Sequence, residues 1–314
     1  MKYYLGIDWG GTYLKAGLVD ENGAIVGKEV CASSCLCNRQ AFIQNLKDIR
    51  KKFNHYKISA IGIGAPGIVN VRKGFVYKLP NIKGWENFPL AKTLSRELKV
   101  PVFLSNDAKL FALAEARLGA GKNKERVLCF TLGTGLGSAF IYKGKILEGE
   151  TSAFEMAHVP ISLKGRRCGC GARGCIETYV GANYLLSEYA RIKKCPKPAE
   201  VSEIYTLAKQ RDAASLKVWR EFSFVLGKFL GGMINIFNPE VIVLGGGVAG
   251  AFGLFKPMLI KEIKKQALSV HLKGLKIVKA ALKDPGLVGA GLLAVDKSSR
   301  SDDKFNCSYP LNVR

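Results

Sequence analysis

Apolar and polar positions along the chain follow two rhythms. In the first third, short apolar runs bounded by Gly, Asn and Asp predict strands. Tyr3 to Asp8 is one such run and ends in Gly10-Gly11-Thr12. Tyr13 to Val19 follows, then Glu21-Asn22-Gly23, then Ile25 to Val30. An Asn-Gly step between apolar runs signals a hairpin, because both residues tolerate the positive φ of its turn. A helix is expected over Gln40 to Phe53. Ile58 to Ile63 reads as a buried strand running into Gly64-Ala65-Pro66-Gly67. Leu90 to Leu98 reads as a helix, Val102 to Leu104 as a strand and Ala108 to Leu118 as a helix.

The pattern then restarts. Val127 to Leu132 is an apolar strand ending in Gly133-Thr134-Gly135; Ser138 to Tyr142 is a second strand and Lys143-Gly144-Lys145 a turn. Strand, Gly-Thr loop, strand and turn thus occur twice, about 120 residues apart, which reads as an internal duplication and not a short-period repeat. The second half is more helical. Ala213 to Phe237 carries Leu216, Trp219, Val225, Phe229, Met233 and Phe237 at helical spacing and stops at Asn238-Pro239. Val241 to Leu244 is a buried strand entering Gly245-Gly246-Gly247, and Val288 to Val295 is a short apolar helix. A domain boundary is expected near Gly119 to Lys124.

Composition narrows the class. The 314 residues suffice for two domains with a sizeable core. The longest uncharged runs, such as Val127 to Tyr142, are Gly-interrupted and shorter than a membrane span. Asp8 interrupts the first apolar stretch before a signal-peptide core can form. The expectation is a soluble, cytoplasmic protein with no membrane partner. The 48 Lys and Arg against 25 Asp and Glu give a net charge of +23, a field that attracts polyanions. The charge is nevertheless spread over clusters such as Arg50-Lys51-Lys52 and Arg191-Ile192-Lys193-Lys194, which read as solvated helix faces, so no nucleic-acid partner is expected. Nine Cys is an odd number, which rules out a full disulfide framework and favours thiols and metal ligation. Cys31, Cys35 and Cys37 form a group without a fourth ligand nearby.

Three Gly-rich loops follow apolar strands: Asp8-Trp9-Gly10-Gly11-Thr12, Gly133-Thr134-Gly135-Leu136-Gly137 and Gly245-Gly246-Gly247. Without a Cβ in the way, backbone N–H groups can approach phosphate oxygens. None has P-loop spacing, and the first precedes a strand where a dinucleotide fingerprint needs a helix. Two related loops with matching strands point to a phosphate clamp with one jaw per domain; a tight turn is the bland alternative. Asp8, at a strand end, suits Mg²⁺ held through waters, or an Asx-turn. Ser105-Asn106-Asp107 opens a helix. It reads either as an ordinary N-cap or as a general base, Asp107, with Asn106 orienting a substrate hydroxyl. His158, Cys168, Cys170 and Cys175 suit a closed, structural tetrahedral Zn²⁺ site that fixes the His ring and Glu177.

These pieces in this order resemble the ROK family, which groups bacterial sugar kinases with sugar-responsive repressors. The resemblance rests on LGIDWGGTYLKAGLVD, GIGAPG, LPNIKGW, SNDA, LGTGLG, the Glu155/His158 pair, CGCGARGCIET and NPEVIVLGGGV, and runs from about Leu5 to Val295. It implies an α/β protein of the actin-like ATPase (ribonuclease H-like) fold, with two α/β domains flanking a cleft. Residues 1–118 with roughly 286–297 would form the smaller domain, 119–285 the larger, and 298–314 a loosely ordered tail. Asp8, Gly10, Gly11, Thr12 and Lys15 would form the first phosphate loop and Gly133, Thr134 and Gly135 the second. Gly245, Gly246 and Gly247 would approach the adenosine. Asn106, Asp107, Glu155, His158 and Glu177 would hold the sugar, with Ala65 and Asn81 nearby and Asp107 as catalytic base.

The implied activity is an ATP-dependent hexokinase of glucokinase type, using ATP, Mg²⁺ and structural Zn²⁺ and acting on the C6 hydroxyl of a hexose. Glucose is the first expectation. N-acetylglucosamine, N-acetylmannosamine and mannose are alternatives, and a sugar-sensing regulator is a further one. Relatives that repress transcription carry a helix-turn-helix before the first phosphate loop, whereas Asp8 lies close to Met1. A homodimer is expected. The family usually has Gly where this chain has Phe154 and Ala157, and often where it has Ser138, so Phe154 is expected to narrow the sugar pocket or shift Glu155.

Overall fold

A computed structural model describes residues 1–33, 38–79, 84–151 and 153–299. Asn81, Cys35, Cys37 and nearly all of the expected tail lie outside the described residues. The chain divides into two compact units, Met1–Asp107 with the chain from Leu287 onward, and Ala108–Gly286.

The first unit carries strands β1 (Tyr3–Trp9), β2 (Tyr13–Asp20) and β3 (Ile25–Ala32), helix α1 (Arg39–Lys52), strands β4 (Ile58–Ala65), β5 (Ile68–Asn70) and β6 (Phe75–Lys78), helix α2 (Leu90–Leu98) and strand β7 (Val102–Asn106). Its main sheet has the order β3-β2-β1-β4-β7. The meander β1-β2-β3 is antiparallel, and β4 and β7 add in parallel. The β2–β3 turn is the Asn-Gly turn of the sequence. Asp20 Oδ1 accepts the N–H groups of Asn22 and Ala24, and Gly23 has φ 86°.

The second unit begins within α3 (Asp107–Arg117). It continues through β8 (Arg126–Leu132), β9 (Leu136–Tyr142), β10 (Lys145–Ile146), α4 (Glu177–Val180), α5 (Ala182–Lys193), α6 (Val201–Lys209), α7 (Ala213–Phe237), β11 (Val241–Gly245), α8 (Phe252–Gln266), α9 (Ser269–Leu272) and β12 (Lys276–Lys279). Its sheet order is β10-β9-β8-β11-β12, again an antiparallel meander with two parallel additions. Third, second, first, fourth, fifth is the strand order in both units, so the sequence duplication is a duplication of topology. This repeated α/β unit is ribonuclease H-like, and the fold is that of the actin-like ATPases.

Helix α10 (Pro285–Ser299) returns the chain to the first unit and lies directly on its strands. A Cβ on Gly62 of β4 would come within 2.8 Å of the Ala290 carbonyl carbon, and one on Gly6 of β1 within 2.8 Å of the Gly291 nitrogen. Only glycine permits that approach. On the first unit's core, Trp9 packs on Phe42 of α1 and on Trp85, with ring centroids 4.2 and 4.8 Å apart. In the second unit Trp219 and Phe222 of α7 pack against Phe255 of α8, and all three are buried. Within each unit the anchored sheet holds its own strand ends, and therefore the loops that leave them, in register.

Candidate active site

The parallel strands of the first unit end side by side. Asp8 pairs with Gly64, Gly64 with Ser105 and Ala65 with Asn106, while Lys15 lies across the hairpin from Asp8. Asp8, Lys15, Ala65, Asn106 and Asp107 thus line one sheet edge, the carboxyl ends of the parallel strands, where open α/β sheets bind ligands. The Gly10–Thr12 loop is tied down through its carbonyls. Ser33 Oγ donates to Gly10 O at 2.8 Å and Ser33 N–H to Thr12 O at 2.8 Å. Gly11 and Thr12 remain exposed. Asn106 is buried and donates through Nδ2 to Gly67 O at 3.2 Å, joining the Gly64–Gly67 loop to the end of β7. Asp107 is the first residue of α3, at the positive end of the helix dipole.

The second unit repeats the arrangement with glycines. Gly245 pairs with Thr131, so the loop after β11 emerges beside the loop after β8. Gly246 has φ 83°, and a Cβ on it would lie 2.7 Å from the Leu132 carbonyl carbon. A side chain there would separate the two loops. The segment after the cysteines braces the Gly133–Leu136 loop from below. Ala182 N–H donates to Gly133 O at 2.8 Å, and Leu136 N–H donates to Glu177 Oε2 at 3.0 Å.

Glu155 precedes a 3-10 turn, Met156–His158, that turns the His158 ring toward the cysteines. His158 Nδ1 is 3.6 Å from Cys168 Sγ, and Cys170 Sγ is 3.7 Å from Cys175 Sγ. The four ligand atoms all lie within 4.8 Å of one another. Zn–S bonds of 2.3 Å give a tetrahedron edge of about 3.7 Å, so these residues fit a zinc ion. The separations are far too long for a disulfide. Tight backbone bonds shape the loop: Cys168 N–H donates to Ala172 O at 2.9 Å and Gly171 N–H to Cys168 O at 3.0 Å. The thiol of Cys168 faces Glu177 Oε1 at 3.6 Å, so the Glu177 carboxylate touches both the cysteine cluster and the second Gly loop.

One feature has no counterpart in the sequence expectations. Lys109, in the first turn of α3, is fully buried; its Nζ lies 3.9 Å from Glu148 Oε2. Burial pushes the Lys109 amine below its usual range, opposed by Glu148 and then Glu155. Burial likewise raises the Glu155 carboxyl, opposed by Lys109 and His158. The signal was a lysine inside the apolar run Ala108 to Leu118. Phe154, marked in the sequence as the bulky residue before Glu155, turns its ring to the core. Its ring lies 6.2 Å from that of Phe237, at the end of α7, and packs on the core of the second unit.

Similarity to known proteins follows the same architecture. The chain is 31% identical to a glucokinase of Halalkalibacterium halodurans, over 97% of this chain and 98% of that protein. It is 29% identical to a xylose repressor of Bacillus spizizenii, over 85% of this chain and 69% of that protein. Among solved structures, a ROK family glucokinase from Streptomyces griseus in complex with glucose and AMPPNP superposes with a TM-score of 0.80 at 29% identity, covering 94% of this chain and 99% of that one. The sequence model of the ROK family matches residues 4–297, and the chain belongs to that family.

Proposed function

We propose that the protein is an ATP-dependent sugar kinase that phosphorylates the C6 hydroxyl of a hexose, glucose before N-acetylglucosamine, N-acetylmannosamine or mannose. The observation that carries this reading is the row Asp8, Lys15, Asn106 and Asp107 along one strand edge, together with Gly loops on the duplicated edge. In the first unit, Asn106 orients the sugar hydroxyl and Asp107 accepts its proton as the oxygen attacks the γ-phosphorus in line. Phosphoryl transfer asks the protein mainly for positioning and charge stabilisation. The N–H groups of Gly10 and Gly133 close their own loops, donating to Tyr13 O and Gly135 O at 3.0 Å; those of Gly11, Thr12, Thr134 and Gly135, with the Thr12 and Thr134 hydroxyls and Lys15, take the phosphates, and Gly245–Gly247 takes the adenosine. Asp8 would hold Mg²⁺, which neutralises triphosphate charge when bound. His158, Cys168, Cys170 and Cys175 would hold Zn²⁺, which cross-links the loop when bound. With Nδ1 toward the cysteines, His158 presents Nε2 to a sugar hydroxyl, and Glu155 and Glu177 accept further hydroxyls. The expected working form is a cytoplasmic homodimer. Among the described residues no helix is long and apolar enough to cross a membrane.

A sugar-sensing regulator is the competing reading, favoured by the similarity to the xylose repressor. ADP release with Mg·ATP and a panel of glucose, mannose, fructose, N-acetylglucosamine and N-acetylmannosamine separates the two. Sugar-dependent release that vanishes in Asp107→Asn, with sugar binding retained, supports the kinase. Sugar binding without ADP release in the wild type supports the regulator.

A further inference from the structure

We propose that Ser138 is a positioning residue for Glu155: its hydroxyl clamps a backbone strained at Phe154 and so sets the affinity for the acceptor sugar. The sugar part of this inference rests on the kinase reading above; the clamp itself does not.

Strand β9 alternates between two apolar surfaces. Leu136 and Phe140 belong to the core facing α7, and Ala139 and Ile141 belong to the core on the other side. Ser138 falls on the α7 side between Leu136 and Phe140, a polar residue at a position the alternation gives to an apolar one, and it is 2% exposed. A hydroxyl buried there must find partners. It finds two, on either side of Glu155. Ser138 Oγ donates to Phe154 O at 3.0 Å, and Met156 N–H donates to Ser138 Oγ at 2.9 Å. The same hydroxyl is donor to the residue before Glu155 and acceptor from the residue after it.

The clamp sits where the backbone needs one. Phe154 has φ 65°, the left-handed region that a residue with a Cβ enters only under constraint. Three contacts hold it there: the ring against Phe237, the carbonyl in the Ser138 bond, and the Met156 N–H, which donates to the same carbonyl at 2.9 Å as well as to Ser138 Oγ. That conformation directs the chain into the Met156–His158 turn and fixes where the Glu155 side chain leaves the backbone. Without the hydroxyl, Phe154 relaxes toward negative φ and Glu155 loses its orientation. With glycine at 154 the left-handed conformation carries no such strain, and the hydroxyl matters less. Ser138 and residue 154 are therefore energetically coupled.

A double-mutant cycle over Ser138→Ala and Phe154→Gly tests this, with ADP-release kinetics and amide hydrogen exchange on each protein. Ser138→Ala is expected to raise KM for the preferred sugar about tenfold and to leave kcat within about twofold. In the Phe154→Gly background the same change is expected to raise KM less than about threefold. The Met156 amide should exchange at least about tenfold faster in Ser138→Ala than in the wild type, whether or not the protein is a kinase. Ser138→Cys keeps the shape with a somewhat larger atom, weakens both bonds and takes the same comparison if Ser138→Ala does not fold. Additive KM effects, or an unchanged KM in an active enzyme, overturn the positioning role alone. Unchanged Met156 exchange overturns the clamp. A wild-type protein that releases no ADP with any sugar overturns the kinase reading, and exchange still decides the clamp.

Discussion

Lys109→Met tests whether the buried cation of the second unit supports both its stability and its sugar site. The Lys109 side chain is fully buried, and Glu148, at 3.9 Å, is 17% exposed. Glu155 acts on the same amine. Methionine keeps most of the volume, so packing changes little, but two half-buried carboxylates lose the cation they face. Removing one side of a buried ion pair costs about 3–5 kcal/mol. The residual exposure of Glu148 places the loss at about 3 kcal/mol, the lower end of that range. For a unit of the size of Ala108–Gly286, this is a fall in Tm of about 6–12 °C. Lys109→Met/Glu148→Leu removes both charges and should recover most of the loss, because an apolar replacement of the whole pair is close to neutral. Glu155 also loses the cation that opposes the effect of its burial, so sugar KM should rise about tenfold while kcat changes less. Thermal and urea unfolding of the two variants, with ADP-release kinetics, measure all of this. The reasoning fails if Lys109→Met keeps the wild-type Tm and KM, or if the double variant is no more stable than the single one.

Other consequences follow from single contacts. Gly135→Ala would place a Cβ 3.0 Å from Glu177 Cδ and displace that carboxylate from the Leu136 N–H. Losing a bond to a charged group costs about 1.5–3 kcal/mol, so KM for ATP should rise about 10- to 100-fold, and an unchanged KM would show that Glu177 does not shape the loop. Cys170→Ala should abolish zinc binding and lower the Tm of the second unit together; metal analysis that finds no zinc in freshly purified wild-type protein refutes the metal site. Asp212 caps α7 by accepting the Ser215 N–H at 2.8 Å, and pairs with Lys193. That pair and the cap hold its carboxyl below the usual range, so the unfolded chain is protonated first as pH falls. Its stabilisation is therefore complete above about pH 3.9 and is lost as pH falls through the lower folded value. Asp212→Ala should cost about 1 kcal/mol near pH 7, with the difference from wild type closing below about pH 4; a gap that persists in acid refutes the electrostatic part.

What the sequence shows of this protein depends on how far each property reaches. Helix α7 is legible to the residue. Its apolar stripe repeats over its whole length, Asp212 caps one end, and Asn238, with φ 42°, closes the other. The His-Cys cluster is legible because Cys and His carry metal affinity in the residue type itself, and three of its four members lie within one short loop. Strand β12 was not legible, and of helix α8 only the charged stretch Lys261 to Lys265 reads as a solvated helix face. Pro257 interrupts the periodicity of α8, and β12, half exposed, becomes a strand only by pairing with β11. The same limit separates the two kinds of site residue. Asp8, Asp107 and the Gly loops sit at the ends of apolar runs that announce them. Lys109 meets Glu148 across 39 positions, and Ser138 meets Phe154 across 16, so the sequence marks Lys109, Ser138 and Phe154 singly but not their pairing. A left-handed phenylalanine and a buried serine each look like an ordinary substitution when read alone. Each has a physical reason only in the presence of the other, and under the proposed kinase reading the coupling makes Ser138 a determinant of sugar affinity through Glu155.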